Sequence, residues 1–100
     1  MWEVRIHSLV LSEDLKELDA RIRRKIFHAI EQRLTLDPEN YGKPLLGPFK
    51  GYYRLRVEDY RVIYRILKKE VQVLVLKIGL RRDEEVYREL FKRLRKIGLL

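Results

Sequence analysis

The sequence predicts an α+β fold in which helices pack on an antiparallel sheet. Three observations carry that expectation. A period-two strand opens the chain, helical periodicity follows as far as Pro38, and three strand-like runs joined by very short connections precede a last amphipathic helix.

Residues 2–7, Trp-Glu-Val-Arg-Ile-His, alternate apolar with polar and read as a half-buried strand. Ser12, with Glu13 and Asp14 behind it, reads as a helix N-cap. Leu15 and Leu18, then Ile22, Ile26, Ile30 and Leu34, recur at helical spacing. They form either one helix broken near Asp19 or two helices in a hairpin. Residues 37–51 hold Pro38, Gly42, Pro44, Gly47, Pro48 and Gly51 and read as a loop. Tyr52–Val57 alternates, Tyr60–Leu67 alternates less cleanly, and residues 71–78 are almost continuously apolar. That last run belongs at the sheet centre, covered on both faces. Glu58-Asp59 and Lys68-Lys69-Glu70 are long enough only for antiparallel hairpins, although neither has an ideal turn glycine. After Gly79, Asp83–Lys96 reads as a helix with Val86, Tyr87, Leu90, Phe91 and Leu94 on one stripe, closed by Gly98. The expected whole is one domain over residues 1–100: an N-terminal strand and helical hairpin, a three-stranded antiparallel meander and a C-terminal helix, with about four strands in the sheet.

Composition narrows the function classes. Without cysteine, no disulfide framework, thiolate zinc site or cysteine nucleophile is available. His7 and His28 have no neighbouring ligands at metal spacing, so no metal is expected. No Gly-rich phosphate loop or Ser-His-Asp arrangement appears, and no cofactor is expected. The first residues lack the apolar segment of a secretory signal, and residues 73–76 are the longest purely apolar run, so a cytoplasmic protein without a membrane partner is expected.

Charge is more informative. The net charge of +8 is unevenly spread. Residues 1–40 carry seven basic and eight acidic side chains, whereas residues 41–100 carry sixteen and seven. Such lopsided basicity is the usual footprint of a polyanion partner, with nucleic acid the commonest. The alternative is a charge-rich, thermophile-like surface.

The excess acquires geometry in the first hairpin. A two-residue turn at Glu58-Asp59 pairs Val57 with Tyr60, Arg56 with Arg61, Leu55 with Val62 and Arg54 with Ile63. One face then carries Tyr53, Leu55, Val57, Tyr60, Val62 and Tyr64, and the other carries Arg54, Arg56, Arg61 and Arg65. Arginines directly opposite one another repel by about a few tenths of a kcal/mol. A sheet tolerates them when an anion or acids from elsewhere sit on the cluster, or when water solvates them singly. Four at this spacing, with Arg81 and Arg82 in the loop after Gly79, point to a phosphate-binding surface, because the guanidinium fork donates two bonds to phosphate. The pattern alone does not separate RNA from DNA or from an acidic protein.

The strings LLGPFKGYYRLRVEDYRVIYRI (residues 45–66) and VLVLKIGLRRDEEVYREL (residues 73–90) resemble the RelE-type toxins of toxin–antitoxin pairs, in the RelE/ParE superfamily. The likeness lies in a Tyr-basic-apolar-basic strand, a Tyr-Arg strand and a Gly-x-Arg loop leading into a Val-Tyr helix, and is close over residues 41–92. It implies that Arg54, Arg56, Arg61, Arg81 and Tyr87 form the catalytic set, with Arg65 and Arg82 as further phosphate contacts. It also implies attack by a ribose 2′-hydroxyl on the neighbouring phosphate of mRNA in the ribosomal A site, without metal, leaving a 2′,3′-cyclic phosphate and a 5′-hydroxyl. A cognate antitoxin is the implied partner. RelE-type enzymes often carry lysines in the first basic strand, one of them a candidate base. Arg54 and Arg56 can only bind and stabilise charge, so the base falls to Tyr87 or water. Tyr87 can equally stack on a nucleobase, or serve as a core tyrosine beside the apolar stripe. Two other functions fit the same fold: a ParE-like gyrase-inhibiting toxin, and an RNA- or ribosome-binding module that has lost catalysis.

Overall fold

The computed structural model describes residues 1–80 and 83–100. Strand β1 (Glu3–Ile6) leads into a short helix α1 (Ser8–Ser12), a 3-10 turn (Asp14–Glu17) and helix α2 (Ala20–Ala29), which widens into a π turn (Ile30–Leu34). After the single-turn α3 (Pro38–Tyr41) come β2 (Lys43–Pro44), β3 (Tyr52–Val57), β4 (Tyr60–Leu67), β5 (Gln72–Leu80) and helix α4 (Asp83–Lys96).

The sheet has five strands in the order β1-β5-β4-β3-β2. Expecting about four strands, all antiparallel, needs correcting on two counts. β1 runs parallel to β5, with Glu3 opposite Gln72 and Ile6 opposite Val75. The segment read as a plain loop contributes β2, whose Lys43 and Pro44 pair with Arg54 and Tyr53 of β3. A proline there is compatible because β2 is an edge strand, where one N–H need not join the ladder.

Local signals explain most of the helix ends. Ser12 closes α1 and is not a cap; α1 is capped by His7, whose Nδ1 accepts the Leu9 N–H at 3.1 Å just beyond the strand assigned to it. Asp19 caps α2, its Oδ1 accepting the Ile22 N–H at 2.9 Å. The break expected near Asp19 is present, since Leu18 and Asp19 are extended between the 3-10 turn and α2. Gly98, at φ +81°, ends α4, and the Leu99 N–H donates to the Leu94 carbonyl at 2.8 Å.

Two cores sandwich the sheet. On one face, Val10, Ile22, Ile26, Ile30 and Leu34 pack on Leu55, Val62, Tyr64, Val73 and Val75. On the other, Leu90 and Leu94 of α4 pack on Tyr52, Ile63 and Leu76. β5 is therefore covered on both sides, as its apolar run requires. An irregularity opposite Ile63/Tyr64 skips Leu76, so Ile78 rejoins Val73 and Val75 in the first core while Lys77 turns towards α4. Val71 lies outside β5, in the turn, at φ +52°.

The β3–β4 hairpin has the register read from the sequence: Val57 faces Tyr60, Arg56 faces Arg61, and Arg54 faces Ile63. Glu58 supplies the left-handed residue that a glycine would otherwise provide, at φ +52°. Its carboxylate reaches Lys25 at 2.5 Å and Arg21 at 3.5 Å, tying the hairpin tip to α2. The Lys25 hydrogen bond holds the Glu58 carboxyl below its ordinary range, the charges of Lys25 and Arg21 acting in the same direction.

At the opposite end of the hairpin, Tyr64 is fully buried, stacks on Tyr53 at 5.6 Å and donates to the Pro38 carbonyl at 2.6 Å. Burial pushes its phenol well above the usual range. A Cβ on Gly42 would come within 1.9 Å of Tyr64 Oη and 2.9 Å of the Arg54 carbonyl. Gly42→Ala is therefore expected to destabilise the fold by about 1–3 kcal/mol through overpacking. Urea unfolding checks this, and an unchanged midpoint would refute the packing assigned to Tyr64.

Candidate functional site

Alternation in β3 and β4 sends Arg54, Arg56, Arg61 and Arg65 to the face that α4 covers, opposite the α2 side. The strands bring three predicted site residues into contact. Tyr87 Oη accepts hydrogen bonds from Nη1 of Arg61 and, at 3.3 Å, from Nη1 of Arg54. The Arg61 guanidinium also lies over the Tyr87 ring, 5.5 Å from its centroid. One phenol oxygen thus receives donors from two cations on adjacent strands.

Arg56 is exposed directly across from Arg61. Arg65 lies four residues along β4 from Arg61, also exposed, with its guanidinium 5.9 Å from the Tyr52 ring centroid. Arg56 and Arg65 flank the Arg54–Arg61–Tyr87 contact without joining it. Among the described residues, none of these four arginines forms an ion pair. Arg61 Nε is buried without a hydrogen-bond partner. Such a group costs about 1–3 kcal/mol in a folded protein. Together these features describe positive charge gathered on a sheet with no pairing acid among the described residues. Arg81 and Arg82 lie outside the described residues.

Tyr87 is half-buried, at the edge of the second core and in contact with both arginines. The stripe read for α4 needs one correction. Val86, Leu90 and Leu94 are buried, whereas Phe91 is 38% exposed and Arg93 is buried in its place. Phe49, from the 3-10 turn Gly47–Phe49, bridges the two outer rings: its centroid is 5.9 Å from Tyr87 and 6.4 Å from Phe91.

The sequence reading missed a buried ionic cluster beneath α4. Asp14 accepts from Arg93 at 2.7 and 2.8 Å, from Lys77 at 3.1 Å and from the Ile78 N–H at 2.8 Å. Lys77 also meets Glu89 at 2.7 Å, and Arg93 meets Glu13 at 3.3 Å. Burial alone would lower the Arg93 pKa, but the hydrogen bonds and charges of Asp14 and Glu13 outweigh it and raise it. The signal was legible in principle. A lone lysine inside an apolar strand needs a counter-charge, and so does an arginine three residues after a buried leucine.

Beside this cluster is a cavity of about 540 Å³ lined in part by Glu13, Asp14, Glu17, Glu85 and Glu89. Its acidic lining contains none of the site arginines. His7 serves as a cap and His28 is exposed on α2. Among the described residues, no group of three metal-ligating side chains converges and no helix is long and apolar enough to cross a membrane.

A family model described as the ParE toxin of the type II toxin–antitoxin system, parDE, matches residues 4–85. Toxin RelG of Mycobacterium tuberculosis is 32% identical over 75 residues, 75% of this chain and 84% of that protein. A chain of the toxin–antitoxin complex RelBE2 from the same organism matches with a TM-score of 0.75 at 29% identity, over 82% of this chain and 93% of that one. The isolated Escherichia coli RelE toxin matches with a TM-score of 0.67 at 21% identity, over 94% and 99%, a likeness of fold.

Proposed function

The chain belongs to the ParE toxin family of type II toxin–antitoxin systems, within the RelE/ParE superfamily, and from that premise we propose that it is a ribosome-dependent endoribonuclease cutting mRNA in the A site. The observation that carries this reading is the convergence of Arg54 and Arg61 on Tyr87 Oη, on a sheet face with no pairing acid among the described residues. A phosphodiester supplies the anion that such a face lacks.

In the proposed step, the ribose 2′-oxygen forms a bond to phosphorus as the bond to the 5′-oxygen breaks. The 2′-proton passes to a base, and the departing 5′-oxygen takes up a proton. Arg54 and Arg61 stabilise charge on the non-bridging oxygens, and Arg56 steers the adjacent phosphate. Tyr87 Oη, already placed between the two guanidiniums, is the side chain best located to handle the 2′-proton. Arg81 is assigned to the leaving oxygen on the family resemblance, and Arg65 and Arg82 to phosphates along the strand. No step calls on a metal or cofactor. The whole chain acts as one domain in the cytoplasm, held in check by a cognate antitoxin, as the RelBE2 complex suggests by analogy.

A purified translation reaction tests the reading. Codon-positioned breaks in a message on programmed ribosomes, lost in Arg54→Ala/Arg61→Ala, are the expected result. Intact message together with inhibited DNA supercoiling would overturn it in favour of gyrase.

A further inference from the structure

Beyond the arginines, α4 and the loop before β3 present a short aromatic surface. Phe91 follows Tyr87 by one helical turn, which separates neighbouring Cβ atoms by about 5–6 Å, within the span of one nucleotide. Phe49 touches both rings, meeting Phe91 edge-on at 85°. The Arg95 guanidinium lies 5.9 Å from the Phe91 centroid. A single exposed phenylalanine ordinarily needs no explanation. This one is 38% exposed, yet it meets Phe49 edge-on and has a guanidinium over its ring.

We propose that Phe91, supported by Phe49, is a stacking shelf for an unpaired nucleobase adjacent to the phosphate held by Arg54 and Arg61. The proposal rests on the RNA-cleaving reading above. Single-stranded RNA is recognised by splaying its bases onto aromatic faces and guanidinium planes. Phe91 supplies the face and Arg95 a guanidinium able to close over the other side of the base. Arg95 and Lys96, exposed in the last turn of α4, favour an anionic strand there over a neutral apolar partner. Stacking accepts any base, so the shelf contributes affinity and positioning rather than sequence identity.

The test uses the full chain on programmed ribosomes whose A-site codon carries 2-aminopurine, one position per message, with a 2′-deoxy residue blocking cleavage. Wild type is expected to change 2-aminopurine fluorescence at one codon position. Phe91→Tyr keeps that signal. Phe91→Leu preserves an apolar side chain without a π-face, and is expected to abolish the signal and weaken binding on the order of tenfold. Melting of both variants is measured alongside, and the exposure of Phe91 predicts little change. A Phe91→Leu variant that binds and perturbs 2-aminopurine like wild type overturns the shelf. So does a signal that survives Phe91→Leu but disappears in Tyr87→Ala, which assigns stacking to Tyr87 alone. Binding unaffected by Arg54→Ala/Arg61→Ala instead removes the phosphate reading, while the Phe91 comparison still reports on stacking.

Discussion

Replacing Arg61 by alanine is expected to reduce mRNA cleavage by about two to three orders of magnitude, the usual effect of deleting one donor to charge developing in a transition state. Arg61 has the larger share of contacts in the site: it donates to Tyr87 Oη, covers the Tyr87 ring and faces Arg56 across the hairpin. Thermal stability is expected to change little, because the substitution also removes a buried Nε that has no partner. Single-turnover cleavage on programmed ribosomes reads the first effect and a melting curve the second. Tyr87→Phe keeps the contacts with Phe49 and with the Arg61 guanidinium and removes only the oxygen. A loss of about 10²-fold or more in Tyr87→Phe assigns proton transfer to that oxygen. Near-normal cleavage in Tyr87→Phe, with Tyr87→Ala folded and severely impaired, would make Tyr87 a stacking residue.

The largest stability effect is expected at Asp14. Its carboxylate, 4% exposed, accepts from Arg93, Lys77 and the Ile78 N–H. Asp14→Ala leaves Arg93 buried with only Glu13 and the Leu76 carbonyl. Breaking one side of such a pair costs about 3–5 kcal/mol, chiefly because the remaining charge is uncompensated. Replacing both partners, as Asp14→Leu with Arg93→Met, removes the stranded charge and is expected to recover most of the loss. Urea midpoints of the single and double variants measure this. If the double variant is as unstable as Asp14→Ala, the destabilisation does not come from the unpaired arginine.

These two predictions draw on features that the sequence disclosed unequally. The hairpin register was legible because alternation and a two-residue turn leave one way to bury Leu55, Val62 and Tyr64 together. That same constraint put Arg54 and Arg61 on one face. β2 was hidden because its proline and lysine carry no strand signature and pair only at an edge. The parallel β1–β5 pairing joins residues nearly seventy positions apart, as Glu3 with Gln72, and no local pattern encodes it. Phe91 was read into the buried stripe because helical spacing identifies a face without saying where its boundary falls, and Arg93 occupies the buried position once Asp14 is there to receive it. The role of Tyr87 was open between core and site; it is half-buried at the edge of the second core and its oxygen touches both arginines.

The chemistry proposed for the arginine face is tested most directly by the scissile nucleotide itself. A message with a single 2′-deoxy substitution on the 5′ side of the break, translated with purified components, is compared with its all-ribose counterpart. The account predicts that the ribose message yields a 2′,3′-cyclic phosphate and a 5′-hydroxyl, and that the deoxy message remains intact at that position. Cutting of the deoxy message at the same position would contradict it, because the nucleophile would then not be the neighbouring 2′-oxygen.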